Sequence, residues 1–279
     1  IPFMRPTYFI LLFLLGNMLD AQTTIFGKIT DAEFNAPLPY VNIGIPGAGI
    51  GTVSDEAGYY LLEVPNHKIN DSLYFSMVGF ASQSFKIDQL DGSNEKLLNI
   101  TFEPEATALK EVVVTSGKWE KKAVGNETDS KLITTGFTTN QLGNEIAQFV
   151  RVKKQRPTLV QGFWLSIAEN TIESVILRLN IYLEEEGFPG ENVLQEPIYL
   201  ELPNEPQTIT VDLTLYDIYV EDDFFVSIEW IEDLGVEGLW FSAGVFGKSL
   251  YARSASHAQW VKQRALSIGM GVEILQKEN

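Results

Sequence analysis

The side chains able to do chemistry in this chain are carboxylates and aromatics. It has 279 residues, no cysteine and two histidines. Without cysteine there is no disulfide framework, thiolate metal site or cysteine nucleophile. His67 (Pro65-Asn66-His67-Lys68) and His257 (Ser254-Ala255-Ser256-His257) read as turn and loop residues, with no partner at a metal-binding spacing such as His-Glu-x-x-His. A zinc site needs three or four ligands, which would have to come from scattered carboxylates. No Gly-x-Ser-x-Gly elbow, phosphate loop or dinucleotide fingerprint occurs. The glycine-rich run Gly44–Gly51 lies between strand patterns and lacks the phosphate-loop lysine, so it reads as a flexible turn. No catalytic residue is assigned.

Two acidic clusters remain, Glu184-Glu185-Glu186 and Glu221-Asp222-Asp223. Sandwich loops can present carboxylates and carbonyls to Ca²⁺. Glu185, Glu186, Asp222 and Asp223 are therefore the candidate calcium ligands, against the alternative of solvated acidic turns. No other cofactor is expected. The tryptophans Trp164, Trp230, Trp240 and Trp260, with Tyr251 and Phe246, concentrate in the second half. Exposed aromatics are how sandwich domains hold sugar rings, whereas buried ones fill cores. Trp240 and Tyr251 flank the stretch Gly244–Lys248 and are expected to be exposed, which makes them the candidate ligand-binding pair.

The elements that would position these groups are strands. Thr24–Thr30, Tyr40–Ile45, Tyr59–Val64, Ser72–Met77, Ser82–Ile87 and Leu97–Phe102 are rich in β-branched and aromatic residues, with turn residues between them. A second series follows at Glu145–Val152, Leu159–Ile167, Ser174–Leu183, Ile198–Leu202, Gln207–Asp212, Asp223–Trp230, Leu239–Ala243 and Ala265–Val272. Val175, Leu177, Leu179 and Ile181 alternate with Ile176, Arg178, Asn180 and Tyr182, and Phe224, Val226 and Ile228 alternate with Phe225, Ser227 and Glu229. Asn140–Arg151 alone admits a helix. The expected class is all-β, a first sandwich followed by a jelly-roll-like one.

Charge and the amino terminus narrow the setting. A net charge of −17, with 20% charged and 45% hydrophobic residues, fits a folded chain that nucleic acid and anionic lipid would repel. Met4 and Arg5, the apolar run Tyr8–Leu15 and the small Ala21 read as a secretory signal peptide with a mature start at Gln22. That run is shorter than a bilayer span, so no transmembrane segment is expected in the mature chain. The expected location is the periplasm or the outer-membrane surface.

Residues 27–80 carry a recognisable pattern: a glycine-led strand, Pro37-Leu38-Pro39, Gly51-Thr52-Val53-Ser54-Asp55, Glu56-Ala57-Gly58-Tyr59-Tyr60 and Val78-Gly79-Phe80. They resemble the carboxypeptidase-regulatory-like module, a small transthyretin-like β-sandwich of bacterial envelope proteins. The resemblance implies a non-catalytic scaffold, and no peptidase activity follows from the family's title. Within the pattern, Asp55–Gly58 reads as a tight turn in which Gly58 takes positive φ. Leu109–Thr115 resembles the segment that follows this module in TonB-dependent outer-membrane receptors, and its favoured reading here is a last strand before a linker. Too few residues follow Ser116 for a plug and barrel. Arg178–Tyr182, Phe188-Pro189-Gly190 and Phe225–Trp230 resemble the carboxy-terminal region that accompanies the module in uncharacterised envelope proteins.

The expected organisation is a signal peptide at 1–21, the module at 22–105, a final strand and linker at 106–135, and a second sandwich at 136–279. The expected role is binding or scaffolding toward an envelope protein or a surface glycan. The alternatives are a carbohydrate-binding accessory protein, a receptor relative, and a hydrolase built from paired carboxylates.

Overall fold

The computed structural model describes residues 22–105, 117–137, 139–235, 238–245, 250–264 and 266–278. The signal-peptide reading, the Leu109–Thr115 segment, Phe246 and the start of the 265–272 strand lie outside the described residues.

The chain is all-β. The first sandwich contains β1 (Gln22–Asp31), β2 (Asn42–Ile45), β3 (Ile50–Val53), β4 (Tyr59–Pro65), β5 (Ser72–Ser76), β6 (Gln83–Lys86), β7 (Glu95–Leu97) and β8 (Ile100–Phe102). One sheet runs β4-β1-β7, with β8 also on β1, and the other runs β3-β2-β5-β6. Strict alternation buries Tyr60, Leu62 and Val64 of β4 and Ile25 and Ile29 of β1 against Ile43, Leu73, Phe75 and Phe102. The glycine-rich run forms the β2–β3 hairpin: residues 46–49 make the turn, and Gly44 pairs with Gly51 across its ends. Gly58 has φ +76°, and a Cβ there would sit 2.5 Å from the Ile29 carbonyl oxygen, so the turn needs glycine.

The second sandwich is larger and jelly-roll-like. Its strands are β9 (Trp119–Gly125), β10 (Thr134–Gly136), β11 (Glu145–Val150), β12 (Thr158–Asn170), β13 (Val175–Glu185), β14 (Phe188–Asn192), β15 (Ile198–Leu202), β16 (Thr208–Asp212), β17 (Tyr219–Val220), β18 (Phe224–Trp230), β19 (Leu239–Val245), β20 (Leu250–Arg253), β21 (Val261–Gln263), β22 (Leu266–Ile268) and β23 (Met270–Lys277). One sheet follows the path β10-β19-β12-β23-β9, and the facing sheet follows β14-β13-β18-β11-β20-β21. Leu177, Leu179 and Ile181 of β13 and Val226 and Ile228 of β18 fill the core against Phe163, Leu165 and Phe241. Within 106–135, expected as a final strand and linker, residues 119–125 form the edge strand β9 on β23 and residues 134–135 begin β10 on β19. The region that admitted a helix becomes a loop and β11.

The two sandwiches meet through the turn Ser254–Ala258. Cβ atoms added at Gly44 and at Gly51 would each lie 2.4 Å from the Ser256 carbonyl oxygen, and one at Gly143 would lie 2.3 Å from its amide nitrogen. Three glycines from both sandwiches thus leave the space that this turn occupies. Gly51→Ala is expected to destabilise the folded chain by about 1–3 kcal/mol, as overpacked sites do. Urea unfolding measures it, and an unchanged midpoint would show that the turn moves away at no cost.

Candidate functional site

The outer face of the β13-β18-β11-β20 sheet is polar in sequence yet covered in the structure. Register places Arg178 opposite Glu229, Glu229 opposite Glu145, and Glu145 opposite Arg253, a single row across four strands in which two cations flank two neighbouring carboxyls. Both glutamates have no exposed surface. Arg178 donates through Nε (3.0 Å) and Nη2 (2.8 Å) to Glu229 Oε2, and through Nη1 to the Tyr40 carbonyl (2.6 Å) and Nη2 to Asn42 Oδ1 (2.6 Å) of the first sandwich. Arg253 Nη2 lies 2.5 Å from Glu145 Oε2 and stacks its guanidinium over Trp260 at 4.9 Å. Asn180 donates to both glutamates at 3.0 and 2.9 Å, and Ser227 and Tyr182 also donate to Glu145.

Burial opposes ionisation of Glu229, but the Arg178 and Arg253 guanidiniums outweigh it and hold the carboxyl below its usual range. For Glu145 burial prevails over the pull of Arg253, with the Glu229 charge adding to it, and the carboxyl is pushed up. Both carboxyls are sealed from solvent at the contact between the sandwiches.

Beside this seam lies an open groove of about 800 Å³. One wall is Tyr40, β3, the Ser54–Glu56 turn and the start of β4. The other is Asn140–Leu142 and Ile231–Leu234. Asp55, Glu56, Glu232 and Asp233 give it negative charge, and Tyr40, Tyr59 and Tyr60 give it aromatic surface. The Tyr40 hydroxyl is 3.4 Å from both Glu56 Oε1 and Glu232 Oε1, so one proton serves either carboxylate. Burial, then the charges of Glu232 and Glu56, push the Tyr40 phenol up. Glu232 Oε2 also accepts the Ile176 amide (2.9 Å), and Gln141 Nε2 donates to the Gly51 carbonyl (2.9 Å), tying the walls together. Asp55 Oδ1 accepts the amides of Ala57 and Tyr59, which fixes the turn at the head of β4. The backbone of Tyr40 stands at φ +59°, held by the Arg178 contact to its carbonyl.

The residues expected to bind ligand are not brought together. Trp240 is 41% exposed on β19 of one sheet, as expected for it, but Tyr251 is only 3% exposed on β20 of the facing sheet. The expected exposure of Tyr251 is corrected: its ring packs against Phe225 at 4.9 Å and Phe188 at 5.9 Å. Trp164 and Trp230 are also buried. Leu183 pairs with Phe224, so the two acidic turns lie at the same end of one sheet. Their oxygens cap local amides: Glu185 Oε1 accepts Glu191 N–H (3.0 Å), Asp222 Oδ1 accepts Gln155 N–H (3.3 Å), and Asp223 Oδ1 accepts Val152 N–H (2.9 Å). Glu186 sits at φ +51° in its turn. Among the described residues no three His, Asp or Glu side chains gather to hold a metal, and no helix is long and apolar enough to cross a membrane.

His67 is exposed in a short turn, whereas His257 is wedged at the seam. Its Nε2 lies 3.3 Å from Ser76 Oγ and 3.4 Å from the Asn42 carbonyl oxygen, and its ring meets Tyr74 edge-on at 4.9 Å. The groove residues were missed because their segments are far apart in sequence. The hint available was the turn Asp55-Glu56 beside Tyr59-Tyr60.

Two outcomes test the seam. Arg178→Met strands a buried carboxylate and should cost about 3–5 kcal/mol, with much of the loss recovered in the Arg178→Met/Glu229→Gln double variant; urea denaturation of the four proteins checks it, and additive losses would refute the coupling. Burial, then the Arg253 charge, lowers the His257 pKa from 6.5 to about 4. A depressed folded-state pKa means that the unfolded chain takes the proton first. The stability contributed is therefore complete above about pH 6.5 and lost as pH falls toward about 4. Relative to wild type, His257→Gln should flatten the decline of unfolding free energy across that window.

Comparison with known proteins fits the first sandwich. Residues 25–114 match the CarboxypepD_reg-like domain family. The TonB-dependent receptor P3 of Formosa agariphila is 31% identical over 112 residues, which is 40% of this chain and 10% of the receptor. Among solved structures, BcpA, the major pilin subunit of Bacillus cereus, is 10% identical with a TM-score of 0.21, over 88% of this chain and 68% of the pilin. A DUF3823 family protein from Bacteroides uniformis is 8% identical with a TM-score of 0.20, over 88% of this chain and 98% of its own. TM-scores this low establish no common topology. The chain thus carries a CarboxypepD_reg-like domain at residues 25–114.

Proposed function

We propose that this protein is a non-catalytic binding scaffold of the bacterial envelope, and that its ligand seat is the acidic, tyrosine-lined groove between the sandwiches. The groove carries the reading. It is open, it draws its walls from both sandwiches, and the buried arginine–glutamate row beside it keeps those walls in fixed relation. The envelope assignment is supported by the CarboxypepD_reg-like domain and by the similarity to a segment of a TonB-dependent receptor. Export through the 1–21 segment belongs to the same proposal. So does a two-unit organisation, 22–105 and 136–279, in which β9 and β10 side with the second unit.

Sugar binding through Trp240 and Tyr251 loses its geometric basis, since the two rings lie on different sheets and one is buried. A sugar in the groove would instead lie against Tyr59, 54% exposed beside four carboxylates.

A thermal-shift screen of glycans, peptides and cations against the purified protein tests the reading. A ligand of the folded state at about a hundred times its Kd adds about 2.7 kcal/mol of stability. The expected result is a ligand whose shift vanishes in Tyr59→Ala and persists in Trp240→Ala. No shift with any class, or one that survives Tyr59→Ala, would overturn the groove as the seat.

A further inference from the structure

Among the described residues, the edge of β4 that faces the groove has unpaired backbone. Tyr59 directs its N–H to Asp55 Oδ1 (2.8 Å) and accepts the Asp55 amide (2.8 Å), so its peptide groups point away from β1. In an antiparallel ladder the direction alternates, so Leu61 and Glu63 point the same way. The far side of β1 agrees. Thr24 N–H goes to the Asn94 carbonyl and the Phe26 carbonyl accepts Leu98 N–H, which turns Thr24 and Phe26 away from their β4 partners Glu63 and Leu61. Among the described residues, strand β4 pairs with β1 alone. Among the described residues, nothing hydrogen-bonds the N–H or C=O of Leu61 or Glu63. An open edge of this kind is a template for another strand.

The surroundings specify the strand. Tyr59 and Leu61 project from β4 at 54% and 58% exposure, and Leu61 continues into an exposed row with Phe26 and Leu97 across β1 and β7. Asp55 and Glu56 flank one end of the open edge, and Glu232 and Asp233 stand on the facing wall. Aliphatic and cationic side chains in alternation would meet these surfaces. A second copy of this chain, at a net charge of −17, would bring like charge to the groove.

We propose that an extended, lysine- or arginine-bearing segment of a partner protein adds to the first sandwich as a strand, hydrogen-bonding Leu61 and Glu63 at the β4 edge. This deepens the groove reading and rests on it. Main-chain pairing supplies the attachment, and the carboxylates select the charge of the segment.

The test uses the whole protein and a fluorescein-labelled Lys-Val-Lys-Val-Lys-Val peptide, with Glu-Val-Glu-Val-Glu-Val as its counterpart. Anisotropy should show binding of the lysine peptide only. Amide exchange at Leu61 and Glu63 should slow at least tenfold in the complex. Leu61→Pro removes one edge donor at a position where an edge strand tolerates proline, and Glu56→Lys reverses charge at the exposed rim. Each should weaken binding about tenfold or more. If Leu61→Pro fails to fold, Glu56→Lys and the exchange data decide. Absence of lysine-peptide binding, binding without protection of these two amides, or equal binding of the glutamate peptide would overturn the proposal. So would a concentration-dependent dimer that protects Leu61 and Glu63 without peptide, since a second copy would then own the edge. A glycan that binds through Tyr59 while the peptide does not would sink this inference and leave the groove reading standing.

Discussion

The structure depends on a buried row of charge, Arg178–Glu229–Glu145–Arg253, laid across four neighbouring strands of the second sandwich. Two cations and two anions placed next to one another let a charged sheet face lose its water, provided that the remaining donors and acceptors are also met. Here Asn180, Ser227 and Tyr182 supply donors to the carboxylates, and the first sandwich supplies acceptors to Arg178. The satisfaction is incomplete: Glu229 Oε1 has no hydrogen bond, with Arg253 Nη2 3.9 Å away. Removal of one member is therefore more disruptive than the net worth of the row suggests.

That row also fixes how the two sandwiches sit. A hydrophobic seam would tolerate sliding, because apolar contact has no direction. A guanidinium that must reach the Tyr40 carbonyl and the Asn42 amide oxygen at once does not. The Ser254–Ala258 turn adds a steric key, seated where Gly44, Gly51 and Gly143 have no side chains. Asn42 belongs to both devices, since its side-chain oxygen accepts from Arg178 and from Ser256. The groove is a by-product of this docking. Its walls belong to different sandwiches, and its shape is set by contacts that lie outside it.

The combination suits a scaffold. The perturbed carboxyls of Glu145 and Glu229 are locked inside the seam, while the accessible carboxylates lie along a groove beside aromatic rings and the β4 edge. For the strand-adding partner proposed here, affinity would come from backbone pairing and charge matching.

The sequence by itself determined the all-β class, most of the strands, and the module pattern at 27–80, because alternation of side chains along a strand and the turn residues between strands are local properties. It placed the Gly58 turn and the inward faces of β13 and β18 correctly. It read Gly44–Gly51 as a turn and 106–135 as a final strand and linker, but the pairing of Gly44 with Gly51 and the edge strand at 119–125 declare themselves only through the partners they lie against. The candidate site was hardly legible. Alternation marked Arg178, Asn180, Ser227 and Glu229 as the polar face of two strands, and a polar face reads as solvent-facing. Only the tertiary structure decided that this face is buried against the first sandwich, that Tyr251 lies beneath its neighbours while Trp240 does not, and that Tyr40, Glu56 and Glu232 converge. The physical reason is that burial of a sheet's outer face and convergence of distant loops are set by the packing of one unit on another, which no short-range pattern encodes.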